Sequence, residues 1–270
     1  MTTKRASMLV PRLRGAAIRS YVVLLIAFLM LPVIVVMLAS LTTTSYLTVP
    51  PKGLTLRWYA AVLQDNSYID AIVFSLTLAV ATTFASLVIG LPAAYALVRR
   101  QVPAAQAISA FLMAPLVFPG IVVGVAALQL SSLLEFDNSF LRLFLVHIVI
   151  TLPYAMRAVL ASLHASDPTL EDAARVLGAT RWDAFRLTTL PIIRPGIAAG
   201  GLFAFITSFD NVPTSIFLLG VTQPTLPVKI FNSIEYGIDP SIAAISTMLI
   251  IATGIILVLF ERWLGFRSFI

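Results

Sequence analysis

Residues 71–97 read AIVFSLTLAVATTFASLVIGLPAAYAL, twenty-seven consecutive positions without one charged side chain. The hydrocarbon core of a bilayer is about 30 Å thick and takes roughly 20 apolar residues of helix. This stretch is long enough to cross it, and Arg99 and Arg100 close it. Working outward, five further runs have the same character: Tyr21–Leu41, Ala104–Leu130, Leu143–Leu163, Pro195–Leu219 and Ile242–Phe260. The whole chain, 270 residues, is 59% hydrophobic and 11% charged. An ordinary soluble domain is about 45–50% apolar and about 25% charged. So apolar a chain has too little polar surface to cover a core, which excludes a water-soluble enzyme and a disordered chain. The absence of cysteine excludes a disulfide scaffold.

Lys and Arg set the expected orientation. With the N-terminus inside, the inner segments hold Lys4, Arg5, Arg12, Arg14, Arg19, Arg99, Arg100, Arg175, Arg181, Arg186, Arg194, Arg262 and Arg267, which is 13 of the 18. Outer loops hold only Lys52, Arg57, Arg142 and Lys229, and Arg157 lies within the fourth run. Six spans with both termini in the cytoplasm preserve that split, whereas an odd number spoils it. The net charge of +6 is then a topology signal and gives no support to nucleic-acid binding. The basic start followed by an apolar run near Ala39 and Ser40 has the outline of a secretory signal. The run is longer than a signal's apolar region and five more spans follow, so it is expected to stay as the first span.

The expectation is an all-α polytopic membrane protein. Residues 1–20 form a basic cytoplasmic segment, 21–260 the six-helix transmembrane domain with a cytoplasmic loop at about 164–194, and 261–270 a cytoplasmic tail. Pro32, Gly90, Pro92 and Pro153 read as kinks for packing, since a helical bundle can re-satisfy the backbone groups they free. Pro115, Pro119, Gly120 and Gly124 lie more densely than packing needs, and single out the third span as one that lines a pathway or moves.

The loop before the fifth span carries the most information. Asp167 can cap a helix that begins at Pro168, where the missing N–H does no harm. Glu171 and Asp172 then fall in the early turns, where negative charge is favoured. Leu170, Ala173, Ala174 and Leu177 form one apolar stripe, and Gly178 ends the helix. Thr180 with Asp183 resembles a capping box for a second helix that runs until Pro191. On propensity alone, this pair of short helices is equally an interfacial element lying on the membrane.

Asp172-Ala173-Ala174, three residues, Gly178, and then Leu190-Pro191 resembles the EAA loop of ABC-importer permeases. The family pattern is E-A-A, three residues, G, nine residues, I, one residue, L-P. The spacing matches throughout, with Asp172 in place of Glu and Thr188 in place of Ile. Neighbouring Glu171 is placed to share the acidic role. The segments Pro195-Gly196, Ser208-Phe209-Asp210, Thr225-Leu226-Pro227-Val228 and Ala244-Ile245-Ser246-Thr247 extend the likeness to the spermidine/putrescine-type permeases.

The resemblance implies a type I ABC-importer permease fold in the bacterial cytoplasmic (inner) membrane. It also implies that Glu171, Asp172, Ala173, Ala174, Gly178, Leu190 and Pro191 form the interface with a separate ATPase. The implied partners are a second, homologous permease subunit, two copies of the cytoplasmic ATPase, a periplasmic solute-binding protein and membrane lipid. Arg175, Arg181 and Arg186 either pair with the ATPase or face solvent. The implied cargo is a small cation such as a polyamine. The alternatives are another small solute (iron, phosphonate or an amino-acid derivative) or an ion-coupled secondary transporter.

Catalytic equipment is missing. No Gly is followed by Lys, so no phosphate-cradling loop exists. ATP and Mg belong to the partner ATPase, no cofactor is expected on this chain, and no catalytic residue is assigned. His147 and His164 are 17 residues apart without cysteine, which gives no metal-ligand spacing. His147 reads as a packed, hydrogen-bonded histidine. Asp210 lies about 15 residues into the expected fifth span, and a carboxylate there faces either a wet pathway or a charge on a partner subunit. Asn211 and Pro213 beside it predict a broken helix, so Asp210 and Asn211 are the candidate pathway residues.

Overall fold

The computed structural model describes residues 3–100, 102–220, 224–237 and 239–264, and among these all regular structure is helical. The helices are α1 (Thr3–Ala39), α2 (Arg57–Gln64), α3 (Asn66–Arg99), α4 (Ala105–Met113), α5 (Gly120–Leu133), α6 (Ser139–Ala165) and α7 (Thr169–Val176). They continue with α8 (Arg181–Ala184), α9 (Leu190–Phe209), α10 (Ser215–Leu218), α11 (Leu226–Tyr236) and α12 (Pro240–Leu264). Five helices are long and apolar enough to cross a membrane: Ile18–Ala39, Asn66–Arg99, Ser139–Ala165, Arg181–Phe209 and Pro240–Leu259. Residues 265–270 of the expected tail lie outside the described residues.

One expected span is bent and another is corrected; counted as one, the bent pair makes a sixth span among the described residues. The third, read as one run over Ala104–Leu130, is α4 with a 3₁₀ turn at Ala114–Leu116, followed after a break by α5 at an angle of 97°. Pro119 explains the break: it lacks a donor, biases Phe118 away from helical geometry, and itself sits extended at φ −60°, ψ 134°. The fifth span, read as Pro195–Leu219, begins earlier and ends earlier. The second loop helix does not stop at Pro191; α8 runs through a π turn at Phe185–Thr189 into α9. In that turn the Leu190 N–H donates to the Phe185 carbonyl five residues back. The widened turn relieves the clash that the Pro191 ring would otherwise make with the preceding turn, so helix continues where an α-helix alone would end.

The chain divides into two units, 1–65 with 233–270 and 66–232. In the first, α12 packs against α1 and α2. The segment after α1 is tied down by Ser40 Oγ and Tyr59 Oη at 2.6 Å, and by Trp58 Nε1 donating to the Thr42 carbonyl at 2.8 Å.

In the second unit α3, α6 and α9 pack on one another. Small residues bring α6 and α9 together. A Cβ built at Gly196 would lie 2.4 Å from Ser162 Cβ, and one at Gly200 would lie 2.7 Å from the Ala155 carbonyl oxygen. Around this seam Ala94, Met156, Val159, Leu163 and Ile193 form a fully buried cluster. Leu78, Leu143 and Leu218 form a second cluster nearer the start of α3. Ser86 Oγ and Thr151 Oγ1, 2.7 Å apart, join α3 to α6, and Thr151 also donates to the His147 carbonyl at 2.7 Å. Pairing of this kind is what polar side chains between membrane helices require.

Candidate functional site

The loop after α6 is built as its sequence dictates. Asp167 Oδ1 accepts from the Thr169 N–H at 2.9 Å and from its hydroxyl at 2.8 Å, and so caps the first N–H of α7 from one residue ahead of Pro168, its N-cap position. Those two bonds hold the Asp167 carboxyl below the usual carboxylate range. The cap is therefore at full strength above the ordinary carboxylate pKa and fades as pH falls through the lowered value. At the other end Ala179 N–H donates to the Ala174 carbonyl and Gly178 N–H to the Arg175 carbonyl, at 3.1 and 3.0 Å. These are the paired bonds of a Schellman turn, and they put Gly178 at φ +97°. Thr180 then starts α8: its Oγ1 accepts from the Asp183 N–H at 3.1 Å and donates to the Asp183 carboxylate at 2.6 Å.

Of the expected apolar stripe, Leu170, Ala173 and Leu177 point away from the protein, and Ala174 does not. Leu170 and Ala173 are exposed, Leu177 is 89% exposed and Val176 87%. Among the described residues nothing covers this face. Acidic neighbours divide. Asp172 is exposed, and Arg175 reaches it only at 3.8 Å. Glu171 is half-buried, and takes the Tyr95 hydroxyl on Oε1 and the Thr189 hydroxyl on Oε2 at 2.9 Å. Ala174 is half-buried on the inward side, Leu190 is half-buried in the π turn's exit, and Pro191, Arg181 and Arg186 are exposed.

Below the loop, Arg99 closes the end of α6. Its Nη2 donates to the Ser166 carbonyl and Oγ at 3.0 and 2.5 Å, and to the Leu163 carbonyl at 3.3 Å. A guanidinium on these last carbonyls also suits the helix dipole. In the sequence Arg99 is only a topology marker. Nothing local points to Tyr95 or Thr189, whose shared partner lies 76 and 18 residues away.

The second candidate region is the end of α9. Asp210 is not inside a continuing helix; it is the C-cap residue of α9, and its carboxylate has no bonding partner among the described residues. The predicted break is present. Asn211 Oδ1 accepts from the Thr214 N–H at 3.1 Å and the Ser215 N–H at 3.3 Å, so this side chain starts the short α10. His147 pins both sides of the break, with Nδ1 2.8 Å from Ser208 Oγ and Nε2 3.0 Å from Ser215 Oγ. It is the packed, fully bonded histidine expected.

The two breaks in this unit meet. Thr214 Oγ1 donates to the Gly120 carbonyl at 3.1 Å. A Cβ at Gly124 would sit 2.9 Å from both the Thr214 carbonyl oxygen and the Phe217 ring. Gly120 and Gly124 thus give α5 the closeness it needs to dock beside α10. No group of three or more metal-ligating side chains occurs among the described residues.

A family profile described as "Binding-protein-dependent transport system inner membrane component" matches residues 86–268, more than half the chain. The chain belongs to this family. Its match includes the loop, both breaks and the α6–α9 seam. The putrescine transport system permease protein PotI of Escherichia coli (strain K12) is 32% identical over 244 residues, covering 87% of this chain and 86% of that one. The spermidine/putrescine transport system permease protein PotC of the same strain is 31% identical over 233 residues, 86% of this chain and 88% of that one. The molybdate/tungstate transport system permease protein WtpB of Thermococcus kodakarensis is 30% identical over 236 residues, 83% and 92% of the two chains.

Among solved structures, a bacterial ABC transporter involved in the import of the acidic polysaccharide alginate aligns with TM-score 0.75 at 16% identity, over 93% of this chain and 96% of that one. An amino acid ABC transporter aligns with TM-score 0.57 at 21% identity, over 77% and 99%. Both are likenesses of fold. This permease is accordingly a non-catalytic, multi-pass inner-membrane subunit of an ABC-type importer, the kind that works with an ATPase and a solute-binding protein.

Proposed function

We propose that this permease forms half of the pathway for a small organic cation of the polyamine class, and that α7 is the site where a separate ATPase docks. The observation that carries the cargo reading is the Asp210 carboxylate at the break between α9 and α10, which has no partner among the described residues. A carboxylate in that position offers a passing ammonium a charge-assisted hydrogen bond. The identities to putrescine and spermidine/putrescine permeases favour the same class. The docking reading rests on the exposed Leu170, Ala173, Val176 and Leu177 and on the match to the EAA spacing. The other half of the pathway is a second permease, two ATPases sit on the cytoplasmic side, and the binding protein delivers solute from the opposite face.

Uptake measured on the reconstituted complex tests the cargo. Putrescine or spermidine, and not molybdate, is expected to accumulate in an ATP-dependent way; the opposite pattern retires the cation reading. Asp210→Asn is expected to raise the KM for the cation about tenfold, since a hydrogen bond to a charged group contributes about 1.5–3 kcal/mol. Complex assembly should be unaffected, and unchanged uptake kinetics would remove Asp210 from the pathway.

Both termini and the α7 loop belong on the cytoplasmic side in this reading, with 13 of the 18 basic residues. Because the chain has no cysteine, single introduced thiols report orientation cleanly. Glu135→Cys is expected to react with an impermeant maleimide from outside, and Ala179→Cys only after the membrane is opened. The reverse labelling would invert the topology.

A further inference from the structure

We propose that Glu171 is a positioning residue, whose two carboxylate oxygens brace the docking helix against two membrane helices, while Asp172 is the acidic group left for the ATPase. This inference rests on the docking reading above. Glu171 Oε1 receives the hydroxyl of Tyr95, one turn before the end of α3, and Oε2 receives the hydroxyl of buried Thr189 at 2.9 Å. Thr189 is the last residue of the π turn that leads into α9. One side chain therefore joins α7, α3 and the entrance of α9. Both of its oxygens are engaged inside the protein, whereas Asp172, next in sequence, is exposed and holds only the loose 3.8 Å pair with Arg175.

The consequence is mechanical. Apart from its flanking connections, Ser166–Pro168 and Leu177–Thr180, α7 packs against α8 and the π turn. The Glu171 carboxylate adds a bonded link from it to the end of α3. With the brace, displacement of α7 drags the end of α3 and the start of α9 with it. The Tyr95 ring is held independently, edge-on to Phe185 at 4.9 Å, with Phe185 in turn 5.7 Å from Trp182. Removing the hydroxyl alone therefore leaves the ring seated, which makes Tyr95→Phe a clean probe.

The test uses the complete complex, with partner permease, ATPase and binding protein, in proteoliposomes, and reads solute moved per ATP hydrolysed. Tyr95→Phe and Thr189→Val are each expected to co-purify with the ATPase in wild-type amount and to lower that ratio roughly tenfold, the effect of losing a hydrogen bond to a charged group. Thr189→Ser keeps the hydroxyl and should restore the ratio. Because Tyr95 acts through Glu171, adding Tyr95→Phe to Glu171→Ala should lower the ratio no further. Wild-type ratios in both Tyr95→Phe and Thr189→Val, or full additivity with Glu171→Ala, would overturn the brace while leaving docking intact. A wild-type permease that retains no ATPase would instead overturn the docking reading and the brace with it.

Discussion

Gly200→Leu is expected to leave no stably folded permease in the membrane. At this position even a Cβ would stand 2.7 Å from the Ala155 carbonyl oxygen and 3.2 Å from its Cα. Both are backbone atoms, so no rotamer change relieves the contact. One turn earlier, Gly196 meets Ser162 and the Ala158 carbonyl just as closely. Small residues four apart on one helix, laid against small residues on the next, are how membrane helices approach when no water drives them together. Forcing a leucine between them must separate α6 from α9 and open the buried cluster of Met156, Val159, Leu163 and Ile193. Overpacking of side chains alone costs about 1–3 kcal/mol, and a backbone clash in the central seam should exceed that. Fluorescence-detected size-exclusion of solubilised protein measures it. The expected result is loss of the monodisperse peak for Gly200→Leu and its retention for Gly254→Leu, where no described atom beyond the local helix backbone lies within 4 Å of the built Cβ.

Gly178→Val is expected to uncouple the permease from its ATPase while the membrane helices stay folded. There is open space around this glycine, so the cost comes from the backbone, held at φ +97° by the Schellman bonds. Left-handed geometry costs an ordinary residue about 1–2 kcal/mol, more when the side chain is β-branched. The chain would escape by unwinding the last turn of α7, which carries exposed Val176 and Leu177. Retained ATPase should fall in the order Gly, Asn, Ala, Val, because Asn tolerates left-handed backbone best of the three replacements. For Gly178→Val the loss should be at least about tenfold, the equivalent of about 1.4 kcal/mol. Asp172→Arg supplies an independent probe on the exposed side. If ATPase retention and uptake survive both changes, α7 is not the docking helix.

How much of this was legible depends on the range of the interaction. The caps at Asp167 and Thr180 and the turn at Gly178 are settled within a few residues, so spacing alone reveals them. Pro213 and Asn211 announce their break for the same reason. The π turn is harder, because Pro191 looks like the end of one helix and Pro195 like the start of the next, and only the continuation of the bundle makes a widened turn preferable. Glu171 and Asp172 are chemically interchangeable in a sequence; what separates them is the presence of Tyr95 and Thr189 on one side of α7. The Gly196–Gly200 spacing is itself a packing signal readable within four residues. In the third apolar run, hydropathy gives no hint of a 97° bend, and only the density of Pro and Gly does.

The uninterrupted path from Arg181 through the π turn to Phe209 has a further implication. It is 29 residues of helix, about 43 Å at 1.5 Å per residue. One end adjoins the docking helix and the other ends at the Asp210 carboxylate. On the proposed roles it is a single lever, with nucleotide chemistry at one tip and cargo at the other, and the glycine-lined crossing with α6 as its fulcrum. Linkage then runs in both directions. Whatever solute occupies the Asp210 end must bias the posture of the docking end by the same free energy with which the ATPase biases solute affinity.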